Sequence, residues 1–189
     1  MREELDKKLC EKYPHMFKNR YASMQETAMC WGFSCGDGWY KIINALCFQI
    51  ESHVKWKREQ RARDLLRNRA VKRGYDAVLN FITRGKEPDT WHIECANRII
   101  NEGLTEPTEL VSRVVVDQVK EKFGGLRFYY HGGDDVVDGM VRMAESWAAY
   151  TCEECGDPGH RRDGGWVRTL CDKHEDEYQK RMSERFKDV

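Results

Sequence analysis

Apolar residues recur along this chain with two different periods, and the change of period divides it. Trp39, Ile42, Ile43, Leu46, Ile50 and Val54 fall at steps of three and four, the spacing of one buried helix face. Asp37, in the preceding Cys35-Gly-Asp-Gly-Trp39, is placed to cap that helix, and its flanking glycines are turn residues. Residues 1–20 read as a short polar helix with a turn at Tyr13-Pro14, and Met24 to Phe33 is apolar without a period. Residues 55–83 predict a second, longer helix. Pro88-Asp89-Thr90 opens another, and Gly103 ends it.

From Val111 the period changes. The segments 111–119 and 126–130 are rich in β-branched and aromatic residues and flank Lys120-Glu-Lys-Phe-Gly-Gly125, which predicts two strands and a turn. His131-Gly-Gly-Asp-Asp135 is expected to break the second strand, with Asp134 or Asp135 capping a helix to about Tyr150. That helix is expected to bury Val137, Met140, Val141, Ala144, Trp147 and Ala148. A charged helix from about His174 closes the chain. The expected fold is α+β, with helices packed on a small antiparallel hairpin or sheet and a C-terminal zinc ribbon. The expected division is an α+β domain over 1–150, with 55–85 as a helical insertion, and a ribbon plus helix over 151–189.

Charge alters this picture locally. The 32 Lys and Arg balance the 32 Asp and Glu, so no overall field draws the chain to nucleic acid or a membrane. Lys55 to Arg73 nevertheless holds nine basic residues against Glu59 and Asp64. Lys55, Arg58, Arg61, Arg69 and Lys72 fall close to one helical stripe that can track phosphates. Lys120, Lys122 and Arg127 surround a glycine turn whose N–H groups can receive an anion. No apolar run is long enough for a membrane span, and the charged start lacks a secretory signal.

The most specific chemistry is near the C-terminus. Cys152-Glu-Glu-Cys155-Gly156 and Cys171-Asp-Lys-His174 are two ligand pairs of zinc-ribbon spacing, and three thiolates with one imidazole complete a tetrahedron with no place for water. That set predicts a structural zinc. His160 is a weaker fourth ligand than His174. A nucleobase deaminase also uses His and Cys ligands but needs a nearby catalytic Glu in an H-x-E context, and the H-x-E of this sequence, His92-Ile-Glu94, stands well before Cys152 in the chain. Other groupings have ordinary explanations beside chemical ones. Cys30, Cys35, His92 and Cys95 form a second zinc site or simply pack. Cys35 is a thiolate nucleophile at a helix start or a buried thiol in a turn. His131 with Asp134, Asp135 and Asp138 holds a divalent cation for nucleotide hydrolysis or caps a helix.

Three phrases together resemble a family of small bacteriophage and prophage proteins. They are Cys35-Gly-Asp-Gly-Trp39, Val119-Lys-Glu-Lys-Phe-Gly-Gly-Leu-Arg-Phe-Tyr129, and Cys152-x-x-Cys-Gly followed by Trp166-Val-Arg-Thr-Leu-Cys171-x-x-His174. The likeness covers most of 30–50 and 110–175, and 55–85 reads as a variable insertion. It implies a phage product in the bacterial cytoplasm, where small accessory proteins bind and disable host machinery. The expectation that follows is a non-catalytic zinc protein binding an anionic partner, nucleic acid or a nucleotide signal, in a role that counters host defence. The alternatives are a protein-binding inhibitor of a host factor and a metal-dependent nucleotide hydrolase. No membrane partner is expected, and homo-oligomerisation is left open.

Overall fold

A computed structural model describes residues 1–163 and 166–185, and over them the protein is α+β. The chain divides into two compact units, Met1–His53 with Ser112–Val189, and Val54–Val111. The segment after residue 150 thus belongs to the same unit as residues 1–53. Among the described residues no helix is long and apolar enough to cross a membrane.

In the first unit, α1 (Glu3–Lys12) opens with Glu3, Glu4 and Asp6 and closes on Lys12, a charge order that suits the helix dipole. Asp6 is buried because Arg20 clasps it, with Nε and Nη2 each 2.9 Å from its carboxylate oxygens. The same guanidinium donates to the Cys30 carbonyl at 2.9 Å, fixing the aperiodic stretch before residue 33. A short strand, β1 (Phe33–Ser34), runs parallel to β2 (Ser112–Lys122), which pairs antiparallel with β3 (Gly125–Gly133). The order is β1-β2-β3.

Phe123 and Gly124 form the two-residue hairpin loop, with φ of 53° and 78°. Two positive φ values in succession match the right-handed twist of the flanking strands. Val119 pairs with Phe128 and turns inward, whereas Lys120 pairs with Arg127 on the other face. Strand β3 does not break at His131. It continues to Gly133, because Gly132 lies so close to β2 that a Cβ there would meet the Arg113 carbonyl oxygen at 2.3 Å.

Helix α2 (Tyr40–Arg73) is one helix of 34 residues, where the sequence suggested two. Ile43, Leu46, Ile50 and Val54 are buried along it as expected, as is Trp39 just before it, and Ile42 is half-buried. Asp37 does not cap it. Its carboxylate accepts from the Arg2 amide at 2.7 Å instead, and a 3₁₀ turn over Asp37–Trp39 leads into the helix. Helix α5 (Asp135–Ala148), capped by Asp134 through the Val137 amide, packs on β3, and Glu145 accepts from the Phe128 amide at 2.9 Å. Val137, Val141, Ala144 and Ala148 are buried, but Met140 is only half-buried and Trp147 is 64 % exposed.

The second unit contains the rest of α2, α3 (Tyr75–Thr83) and α4 (Thr90–Glu102). Gly74, at φ 96°, ends α2, and Ala70, Val78 and Ala96 form the core. Asp89 and His92 make a reciprocal capping box at the start of α4, and Gly103 ends it. An extended segment over 103–111 returns along α2, and its backbone polar groups bond to α2 side chains. Arg67 donates to the Gly103 carbonyl at 2.8 Å, Arg61 to Thr108 at 2.8 Å and Arg58 to Val111 at 3.3 Å. Asp64 accepts from the Thr108 amide at 2.8 Å and hydroxyl at 2.6 Å.

These two Thr108 bonds, hydroxyl first, hold the Asp64 carboxyl below the usual carboxylate range against a small opposing desolvation. A depressed folded-state value stabilises above the unfolded pKa of about 3.9 and is lost as pH falls through the folded value. Asp64→Ala should cost about 1 kcal/mol after solvent screening, remove that acid-side loss, and speed hydrogen exchange at the Thr108 amide. Unchanged exchange would exclude this anchoring role.

Candidate metal centre

The last turn of α5 delivers the chain into a knuckle at 152–156. Cys152 donates its amide to the Asp157 carbonyl at 2.8 Å, and the Gly156 amide closes the turn on the Cys152 carbonyl at 2.9 Å. Gly156, at φ 83°, permits that closure. Strands β4 (His160–Arg162) and β5 (Arg168–Leu170) form an antiparallel ribbon, and α6 (Asp172–Arg185) starts directly after Cys171. His174 therefore sits in the first turn of α6, one turn from Cys171.

Ligand atoms of Cys152, Cys155, Cys171 and His174 all lie within 4.8 Å of one another. The His174 Nδ1 is 3.1 Å from the Cys171 sulfur and 3.5 Å from that of Cys152, and the Cys155 and Cys171 sulfurs are 3.9 Å apart. A tetrahedron with metal–sulfur bonds of about 2.3 Å has edges of about 3.8 Å, so the cluster is of the right size for one ion. The other imidazole nitrogen, Nε2, lies 3.9 Å from the Glu177 carboxylate, a partner of the kind that orients a ligating histidine. Burial pushes the Cys152 thiol up, but the amides of Cys171, Cys155 and Glu154 outweigh it and bring the thiol down to about 7. Desolvation, together with the neighbouring Asp157 and Cys152, pushes the Cys155 thiol up to about 12. A bound cation would reverse that last effect.

The knuckle is seated on the Cys35–Trp39 turn. Gly36 donates to Glu153 Oε1 at 2.9 Å, Gly38 to the Glu153 carbonyl at 2.7 Å, and the Trp39 indole to the Thr151 carbonyl at 2.9 Å. A Cβ at Gly38 would stand 2.1 Å from the Cys152 carbonyl oxygen and 2.4 Å from the Gly156 nitrogen. Only glycine allows the two backbones this close. On another side the β2–β3 loop meets the ribbon, where the Thr169 hydroxyl donates to the Gly124 carbonyl at 2.6 Å and Glu153 donates its amide to the Thr169 carbonyl at 2.9 Å. The three phrases singled out in the sequence thus converge on one place.

Glu153 was not anticipated as part of this site. It is 5 % exposed and its carboxyl is pushed up by burial, while its Oε2 takes no hydrogen bond and lies 3.6 Å from Arg168. The signal was the pair of glycines bracketing Asp37, which announces a close approach without naming what approaches.

Among the described residues, the four ligands are the one group of Cys, His, Asp and Glu able to hold an ion. Cys30 and Cys35 lie in the first unit and His92 and Cys95 in the second, where the His92 Nδ1 is 2.6 Å from the Asp89 carboxylate. Cys35 is buried, and burial pushes its thiol up to about 12, which favours the buried-thiol reading over the thiolate one. His131 and the aspartates do not form a cation site. Instead, His131 pairs with Asp117 at 2.9 Å, Asp138 accepts from the Tyr130 hydroxyl, and Asp134 caps α5 and lies 2.9 Å from His53. His160 lies in β4, outside the cluster.

The basic residues are placed in both units. Lys55 lies 3.9 Å from Glu59, Arg58 and Arg61 bond the 103–111 segment, and Arg69 and Lys72 are exposed. The amide of Gly124 is taken by Glu121 at 2.6 Å, so it does not offer the anion cradle expected of that turn. Lys120 stands over the Tyr129 ring at 5.2 Å and Lys122 over Phe123 at 5.6 Å, while Arg127 donates to the adjacent Leu126 carbonyl.

No family model, curated protein or solved structure matches the chain. Fold and site together define an α+β protein with a Cys₃His group able to hold a metal ion.

Proposed function

We propose that Cys152, Cys155, Cys171 and His174 hold one structural zinc ion, and that the protein is a non-catalytic binding protein for an anionic partner, nucleic acid or a nucleotide. The observation that carries the second part is the register of the hairpin. Lys120 opposes Arg127, Lys122 opposes Gly125 and Gln118 opposes Tyr129, so three cations and an aromatic ring share the face turned away from the Val119–Phe128 core. Phe123, 68 % exposed, extends that face at its tip. Among the described residues none of the three cations forms an ion pair. Unpaired cations attract phosphate, and exposed rings stack on bases. Arg69 and Lys72 of the other unit are a secondary surface for the same chemistry. The phage-like phrases support a bacterial cytoplasmic setting and a role against host defence.

The test is fluorescence anisotropy with labelled single-stranded DNA, RNA and cyclic and linear nucleotides. Binding should weaken steeply with salt, and replacing Lys120, Lys122 and Arg127 together by Ala should flatten the log–log salt slope by about 2. Absence of binding to any of these probes, or binding indifferent to the triple replacement, would remove the proposal.

A further inference from the structure

Helix α5 buries one stripe and leaves a second apolar stripe in water. Met143 is 65 % exposed, Trp147 64 % and Tyr150, just beyond the helix, 74 %. Scattered exposed apolar residues are ordinary, but these follow one another at helical steps. Met140, Met143 and Trp147 form one wall of a groove whose other wall is the Ile42 and Ala45 face of α2, and the groove encloses about 350 Å³. Gly38 and Gly156 line it as well, so it abuts the knuckle.

We infer that this groove receives an amphipathic α-helix of a partner protein, one whose polar edge is acidic. Both walls are α-helices with their backbone groups already bonded, so the groove has no free strand edge for an extended peptide to pair with, and affinity must come from side chains. The lining recurs on successive turns of α2 and α5, which matches anchors at i, i+3 or i+4, and i+7 of an incoming helix. Methionine side chains adapt to such anchors without a fixed shape. Lys41 is the one charged residue lining the groove, and no carboxylate lines it. Among the described residues Lys41 also has no ion-pair partner. A Glu or Asp on the visiting helix answers that charge. A second copy docked by the same face would bring another lysine and no carboxylate, which argues against self-association here.

The test uses the full zinc-loaded chain with ¹³C-methyl methionine and two synthetic helical peptides. Both carry Leu at i, i+3 and i+7, one with Glu flanks and one with Lys flanks. The Glu-flanked peptide should shift the Met140 and Met143 methyl signals saturably. Lys41→Glu should weaken that peptide about tenfold and favour the Lys-flanked one. Met143→Glu, at a position exposed enough to leave the fold intact, should abolish both. Three results would overturn the inference: no methyl shift at millimolar peptide, affinities independent of flank charge, or a concentration-dependent dimer that Met143→Glu dissolves. Binding to phosphatidylglycerol vesicles that Met143→Glu abolishes, with no response to either peptide, would overturn it too.

Discussion

With the proposed zinc at its site, replacing Cys152 by Ser is expected to reduce the metal from one ion per chain to none and to unfold the segment from the knuckle to the start of α6. The ribbon has little apolar core of its own. Its strands are three residues each, and Thr169 and Leu170 are the buried residues they contribute. Structural zinc contributes apparent binding free energies of about 10–16 kcal/mol in zinc-finger peptides, comparable to or above the 5–15 kcal/mol, roughly, that stabilises a whole domain. Deleting one ligand forfeits most of that energy, because three remaining donors leave the ion open to water and chelators. Elemental analysis reports the metal, and hydrogen exchange at the Gly156 and Glu153 amides reports the knuckle. A chelator applied to the wild-type chain should reproduce both effects. Full protection at those amides in a zinc-free chain would show that the segment folds without metal.

Gly38→Ala is expected to be severely destabilising for so small a change. The added methyl would meet the Cys152 carbonyl at 2.1 Å, the Gly156 nitrogen at 2.4 Å and the Glu153 carbonyl at 2.7 Å. All three are backbone atoms, so no rotamer change relieves the clash, and either the turn or the knuckle must move. Overpacking typically costs about 1–3 kcal/mol, and the rigidity on both sides places this case at the upper end or beyond. Zinc affinity should fall with stability, since the carbonyl that must move belongs to a ligand residue. Gly139→Ala is the matched control. Nothing lies within 4 Å of a Cβ there, and the residue is inside α5, so alanine should gain about 0.5–1 kcal/mol. Paired thermal melts settle the matter, and equal melting temperatures for the two variants would refute the cradle.

The contrast between those glycines shows how much was legible in advance. The Cys152–Cys155 and Cys171–His174 pairs were readable because ligand geometry imposes spacing on the sequence itself. Asp89 and Gly103 were readable for a similar reason, since helix ends need particular residues. Helix α2 reads as two in the sequence because its apolar face gives way to charges near Val54, yet Lys, Arg and Glu are good helix formers and nothing between residues 40 and 73 stops the helix. Trp147 and Met140 were misplaced because periodicity marks an apolar stripe without saying what covers it. The tasks of Arg58 and Arg61 were hidden for a different reason. Their partners are backbone carbonyls of residues 108 and 111, and a carbonyl leaves no trace in sequence.

The bond from Gly36 to Glu153 closes a span of 117 residues. Closing so long a loop is entropically unfavourable before it is rewarded, and contacts of this separation slow folding. During synthesis the receiving turn leaves the ribosome well before any of the four ligands does. Capture of the proposed ion would therefore be a late event, one that seals a seat already made, and zinc starvation should trap a chain whose earlier helices are formed but whose final quarter stays open to proteases.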